Sequence, residues 1–111
     1  MKAGDIILTS LPQADGKLKK RPALLLKQMP GHGDWLACGI STQLHEYIKD
    51  FDELLDASHP DYSNSHLLAP SVVRLSFLST IASKNISGTI GQVSAKVTMR
   101  LAKNLTEYLL K

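Results

Sequence analysis

Apolar positions along this chain fall into short runs broken by turn residues, the pattern of strands rather than of long helices. Residues 4–11 (GDIILTSL) form the first run and end at Pro12 and the turn-forming Ala14-Asp15-Gly16. Residues 22–29 (PALLLKQM) form a second, closed by Pro30-Gly31-His32-Gly33-Asp34, and residues 35–43 (WLACGISTQ) a third. Pro22 has no N–H to give to a ladder, so it is expected at the start of its strand or on a sheet edge. The order predicts a meander. Residues 44–70 are irregular, but Tyr47, Ile48, Phe51, Leu54 and Leu55 recur at helical spacing and predict a short amphipathic helix over 46–56. In residues 71–81 (SVVRLSFLSTI), Val72, Arg74 and Ser76 alternate with Val73, Leu75 and Phe77, as in a strand. Residues 86–93 predict a shorter strand with Gly88 and Gly91 as bend points. Ser94 is placed to N-cap a final helix over 95–110, with Val97, Leu101, Leu105, Tyr108 and Leu109 on one stripe and Lys96, Arg100, Lys103 and Glu107 facing water. Short strands with one terminal helix predict a mostly β fold with a C-terminal α-helix, a small curled antiparallel barrel.

Composition narrows the class without deciding it. The 111 residues are expected to form a single domain over 1–111, large enough for one core without staples. Cys38 is the lone cysteine, which excludes an internal disulfide framework and a cysteine-based zinc cluster and fits a reducing, cytoplasmic setting. No apolar stretch approaches the roughly 18 residues that span a bilayer, so no membrane association is expected. The start meets Asp5 early and reads as a first strand, not a signal peptide. The net charge of +3 tilts towards a polyanionic partner, and it is unevenly spread. Residues 44–61 are acidic, whereas 17–27 and 84–111 are basic, which fits phosphate on one face and a basic partner on another, or simply solvated surface.

Several separated motifs then line up. "GDIILTSLP", "DGKLKKRPALLL", "ACGISTQ", "PSVVRLSFLSTI", "GTIGQVS" and the amphipathic C-terminal segment resemble, in order and spacing, the PemK/MazF-type toxins of bacterial type II toxin–antitoxin systems. The resemblance runs from about residue 3 to 110 and is weakest over 44–62. It implies an SH3-like antiparallel β-barrel of the PemK/CcdB type, usually a homodimer. It also implies a sequence-selective endoribonuclease, or mRNA interferase, that cuts single-stranded RNA without metal or other cofactor. An antitoxin with an acidic tail would neutralise it by occupying the RNA groove.

Metal-free RNA cleavage uses the neighbouring 2′-OH as nucleophile, a group that DNA lacks. The protein must then accept the 2′-OH proton, assist the leaving 5′-oxygen and stabilise charge at phosphorus. The resemblance assigns the catalytic site to Arg21, Ser41, Thr42 and Arg74. Arg21 is the arginine of an Arg-Pro motif; its planar fork suits two phosphate oxygens, although the residue alone reads equally as a surface arginine opening a strand. Ser41, in Ile40-Ser41-Thr42, takes the place of a family threonine; Ser-Thr pairs at strand ends are also ordinary turn formers. Arg74 is assigned to charge stabilisation, since a guanidinium is a poor proton donor. Lys17, Lys19, Lys20, Gln43 and Ser76 are assigned to RNA binding, the lysines through salt-dependent contacts with the backbone. Ser76 stands where several of these toxins carry an aspartate able to act as base, so the proton acceptor is unassigned. The histidines His32, His45, His59 and His66 fall outside the motifs and read as surface or loop residues. Two alternatives stay open: a member that binds RNA or antitoxin without cutting, and a protein-interaction barrel.

Overall fold

Apolar runs alternating with polar positions settle into six strands: β1 (Asp5–Pro12), β2 (Leu18–Gln28), β3 (Trp35–Ser41), β4 (Glu53–Leu55), β5 (Ser71–Ile81) and β6 (Ile86–Gln92). The structure, a computed structural model, describes residues 1–12 and 15–111. The expected turn at Ala14-Asp15-Gly16 therefore lies partly outside the described residues. The strands form one antiparallel sheet in the order β4-β5-β3-β2-β1-β6. Register shifts interrupt the β1–β6, β2–β3 and β3–β5 ladders. Each adds local twist, and together they curl the sheet into a half-barrel.

Both faces of the sheet carry apolar side chains. On one, Ile6, Leu24, Leu26, Cys38, Ile40, Val73 and Leu75 pack with Val97 and Leu101 of the C-terminal helix, α2 (Ala95–Leu109). On the other, Ile7, Ala23, Leu25, Trp35, Ala37 and Ile81 form a smaller cluster. Trp35 is thus a packing residue. The largest register shift lies in β5, where Cys38 pairs with Leu78 but Ile40 pairs with Val73. That slip reverses the alternation, so Val73 faces α2 whereas Ile81 faces the second cluster.

Four expectations are corrected. No helix forms over 46–56; a 3₁₀ turn at Leu44–Glu46, a loop and the edge strand β4 stand there instead. The helical spacing arises because Phe51 and Leu55 reach the core while Tyr47 and Ile48 stay exposed. Pro22 lies inside β2 opposite Leu8; the ladder with β3 begins only at Ala23, so no β3 residue pairs with the proline. Ser94 starts α2 without a side-chain cap, and Thr98 Oγ1 donates back to its carbonyl at 3.1 Å. Arg100 does not simply face water but pairs with Glu53, and the apolar stripe of α2 loses cover at Tyr108 and Leu109.

A short helix, α1 (Tyr62–Ser65), supports β6. Gly91 makes this contact possible, because a Cβ there would overlap the Ser65 carbonyl. Among the described residues no helix is long and apolar enough to cross a membrane.

Candidate active site

Alternation fixes which side chains share a face. Arg21 stands two positions before Ala23, Ser41 closes β3 opposite Val72, and Arg74 stands two positions beyond Val72. All three therefore sit on the face of the smaller cluster. Extending the Ala23–Gly39 pairing by two residues brings Arg21 opposite Ser41. Strands β2, β3 and β5 are consecutive in the sheet, so the span across these positions is about 10 Å. The sequence motifs at 21, 41 and 74 are brought together by sheet order.

The 3₁₀ turn adds a residue that motif reading missed. Ser41 Oγ donates to Glu46 Oε1 at 2.7 Å, and Arg74 Nη1 lies 3.3 Å from Glu46 Oε2. Glu46 thus bridges the hydroxyl and a guanidinium. Ser41 Oγ also accepts the Gln43 backbone N–H at 3.0 Å, so the serine forms the turn as well as meeting Glu46. A serine followed by a carboxylate five positions on, across a tight turn, was the available signal; the acidic composition of 44–61 hid it.

Arg21 and Arg74 are both half-buried, and the Nε of each is buried without a hydrogen-bond partner among the described residues. Thr42 and Gln43 are exposed beside them. Gly39, next but one to Ser41, leaves room for the Phe77 ring; a Cβ there would come within 2.7 Å of it. Phe77 therefore floors this face beside the site.

The remaining assignments separate. Lys19 alternates onto the Arg21 face, whereas Lys20 points to the opposite one; both are exposed. Lys17 is exposed, and its backbone N–H donates to Asp15 Oδ1 at 2.9 Å. Ser76 is not with Arg74. The β5 slip turns it towards α2, where it lines a cavity of about 570 Å³ with Leu75, Leu78 and Tyr108.

Three other titratable groups are engaged away from this face. His59 is not a free loop residue; its ring bonds Glu53 at 2.8 Å and accepts the Asp61 N–H. His66 Nδ1 donates to the Ile90 carbonyl at 2.8 Å. Burial, reinforced by the negative charge of Asp52, pushes the Cys38 thiol far above its ordinary range, so it is no nucleophile. Among the described residues no three His, Cys, Asp or Glu side chains converge as metal ligands do.

Comparison with known proteins agrees with the motif order. The profile of the PemK-like, MazF-like toxins of type II toxin–antitoxin systems matches residues 2–109. The chain belongs to this family. The Mycobacterium tuberculosis toxin MazF-mt6 has a similar structure, with a TM-score of 0.66 at 22% identity over 95% of each chain. At that identity the likeness speaks for the fold, a curled antiparallel sheet with a C-terminal helix. A comparison with curated protein sequences found no match. A type II toxin is one half of a two-protein system, so an antitoxin partner goes with the family.

Proposed function

We propose that this toxin is a metal-independent endoribonuclease that cuts single-stranded RNA by attack of the 2′-OH on the adjacent phosphate. The observation that carries the reading is the convergence of Arg21, Ser41 and Arg74 on one sheet face. Two arginines on strands about 10 Å apart, both on one face, suit a ribose-phosphate lying between them, each guanidinium able to hold oxygens of a phosphate through paired N–H donors. Preorganised donors of this kind stabilise charge as it builds on phosphorus. Thr42, exposed at the strand end, supplies a further hydroxyl. Lys17, Lys19 and Gln43 hold the strand on either side, whereas Lys20 and Ser76 face away from this groove.

The active form is a homodimer, and the antitoxin competes for the same cations with an acidic tail. No cofactor takes part. Cytoplasmic action and a single domain over 1–111 belong to the same reading.

The test is incubation of the purified protein with a long, weakly structured RNA in EDTA. Products ending in a 2′,3′-cyclic phosphate and beginning with a 5′-hydroxyl are expected, with none from DNA of the same sequence. Arg21→Ala should lower the rate by about 10²-fold or more while thermal melting stays near that of the wild type. RNA binding without cuts would favour a non-cleaving member instead.

A further inference from the structure

We propose that Glu46 is the general base, the group that takes the proton from the attacking 2′-OH. The inference rests on the endoribonuclease reading and supplies the proton acceptor that the chain lacks at Ser76.

The carboxylate lies within reach of the phosphate-holding groups. One oxygen accepts from Ser41 Oγ at 2.7 Å and the other lies 3.3 Å from Arg74 Nη1. Each carboxylate oxygen has a second lone pair, so both can still accept. The side chain remains about 29% exposed, open to a substrate from solvent. In a reactive pose the 2′-oxygen sits roughly 3–3.5 Å from the phosphorus it attacks. A phosphate held by the Arg74 guanidinium therefore brings the 2′-OH next to Glu46.

Five of the other nine side-chain carboxylates are engaged elsewhere in the fold. Asp52 is buried, with Oδ1 accepting from Leu75 N and Oδ2 from Ile48 N. Glu53 is clasped by Arg100 and His59, and Asp61 holds the Ser94 N–H at the start of α2. Asp56 is tied to Ser58, and Asp5 accepts the Lys2 N–H. None of these bonds reaches Ser41 or Arg74.

The step balances without a further reagent except water. The 2′-O–H proton passes to the Glu46 carboxylate as the O2′–P bond forms. The P–O5′ bond breaks, its electron pair stays on the 5′-oxygen, and that oxygen takes a proton from water. Glu46 then returns its proton to solvent, leaving a 2′,3′-cyclic phosphate and a 5′-hydroxyl.

The experiment starts from cut sites mapped in a long RNA with the wild-type protein. A short oligonucleotide spanning one site measures single-turnover cleavage, and the same oligonucleotide with a single 2′-deoxyribose at the cut measures binding. Glu46→Gln should lower the cleavage rate by about 10²–10⁴-fold, the usual contribution of a general base. Its binding of the deoxy probe should match that of the wild type or be tighter, since a competing charge has left Arg74. Glu46→Asp, which keeps the carboxylate on a shorter arm, should cut faster than Glu46→Gln, and thermal melting checks the fold of both. Cleavage by Glu46→Gln within a few-fold of the wild type would overturn the proposal, leaving the carboxylate as a stand-in for phosphate. Parallel loss of probe binding and cleavage would also overturn it, in favour of a structural role. Absence of cutting by the wild type would overturn the endoribonuclease reading and this inference with it.

Discussion

Glu53 is nearly buried, yet its carboxylate is held by Arg100 Nε at 3.0 Å, Arg100 Nη2 at 2.6 Å and His59 Nε2 at 2.8 Å. Burial pushes the Glu53 carboxyl up, but the hydrogen bonds from Arg100 and His59 outweigh it, and its pKa falls below the ordinary value. A carboxyl with a lowered folded-state pKa stabilises the fold above its unfolded pKa and loses that contribution as the pH falls through the folded one. Removing Arg100 should therefore cost most near neutrality. Arg100→Ala is expected to destabilise by about 1.5–3 kcal/mol at pH 7, towards the low end because the arginine is half exposed. In urea titrations the gap between wild type and variant should begin to close once the pH falls below the ordinary carboxyl value of about 4.3, and go on closing until Glu53 is protonated in the fold. A gap unchanged at pH 3 would mean that Arg100 acts through packing. This pair was illegible in the sequence because its members lie 47 positions apart and Arg100 shares the polar side of α2 with Lys96 and Lys103.

At the scale of elements, the β5 slip shapes the candidate site. It turns Ser76 towards α2, leaves Arg74 on the same face as Ser41 and brings Phe77 over Gly39. Asp52 braces the slip, taking the Leu75 N–H on one oxygen and the Ile48 N–H on the other, both at 3.0 Å. Asp52→Ala would strand two donors and is expected to destabilise by about 2–4 kcal/mol. RNA cleavage should fall further than the unfolded fraction explains, since Arg74 and the Glu46 turn both flank the brace. Denaturant titration paired with a rate corrected for folded protein separates the two effects. The strands were legible because apolar runs and turn residues report local backbone preference. The stretch 44–70 was not, because Asp52, Glu53 and Phe51 act through partners far along the chain, and the spacing of Tyr47, Ile48, Phe51 and Leu55 mimics a helix. Arg21, Ser41 and Arg74 were legible as motif residues, whereas Glu46 joins Ser41 and Arg74 only once the 3₁₀ turn folds it back.

Across the whole molecule the charge asymmetry of the sequence changes meaning. The acidic stretch is only partly open: Glu46, Asp52, Glu53, Asp56 and Asp61 each accept hydrogen bonds within the fold, while Asp50 stays exposed. The expected surface for a basic partner is therefore largely spent on internal contacts, whereas Lys17, Lys19 and Lys20 remain exposed. A nucleic-acid partner displaces counterions as its phosphates are neutralised, so affinity falls with salt in proportion to the contacts made. If the strand runs along the Arg21 face, Lys19 is a contact and Lys20, on the opposite face of β2, is not. Lys19→Gln should then reduce the slope of log affinity against log salt by about 0.7 for a non-cleavable single strand. Lys20→Gln should leave that slope nearly as it was. Equal changes for the two lysines would place the strand around the β2 end rather than along one face, and the alternation that joins Lys19 to Arg21 would then not govern binding.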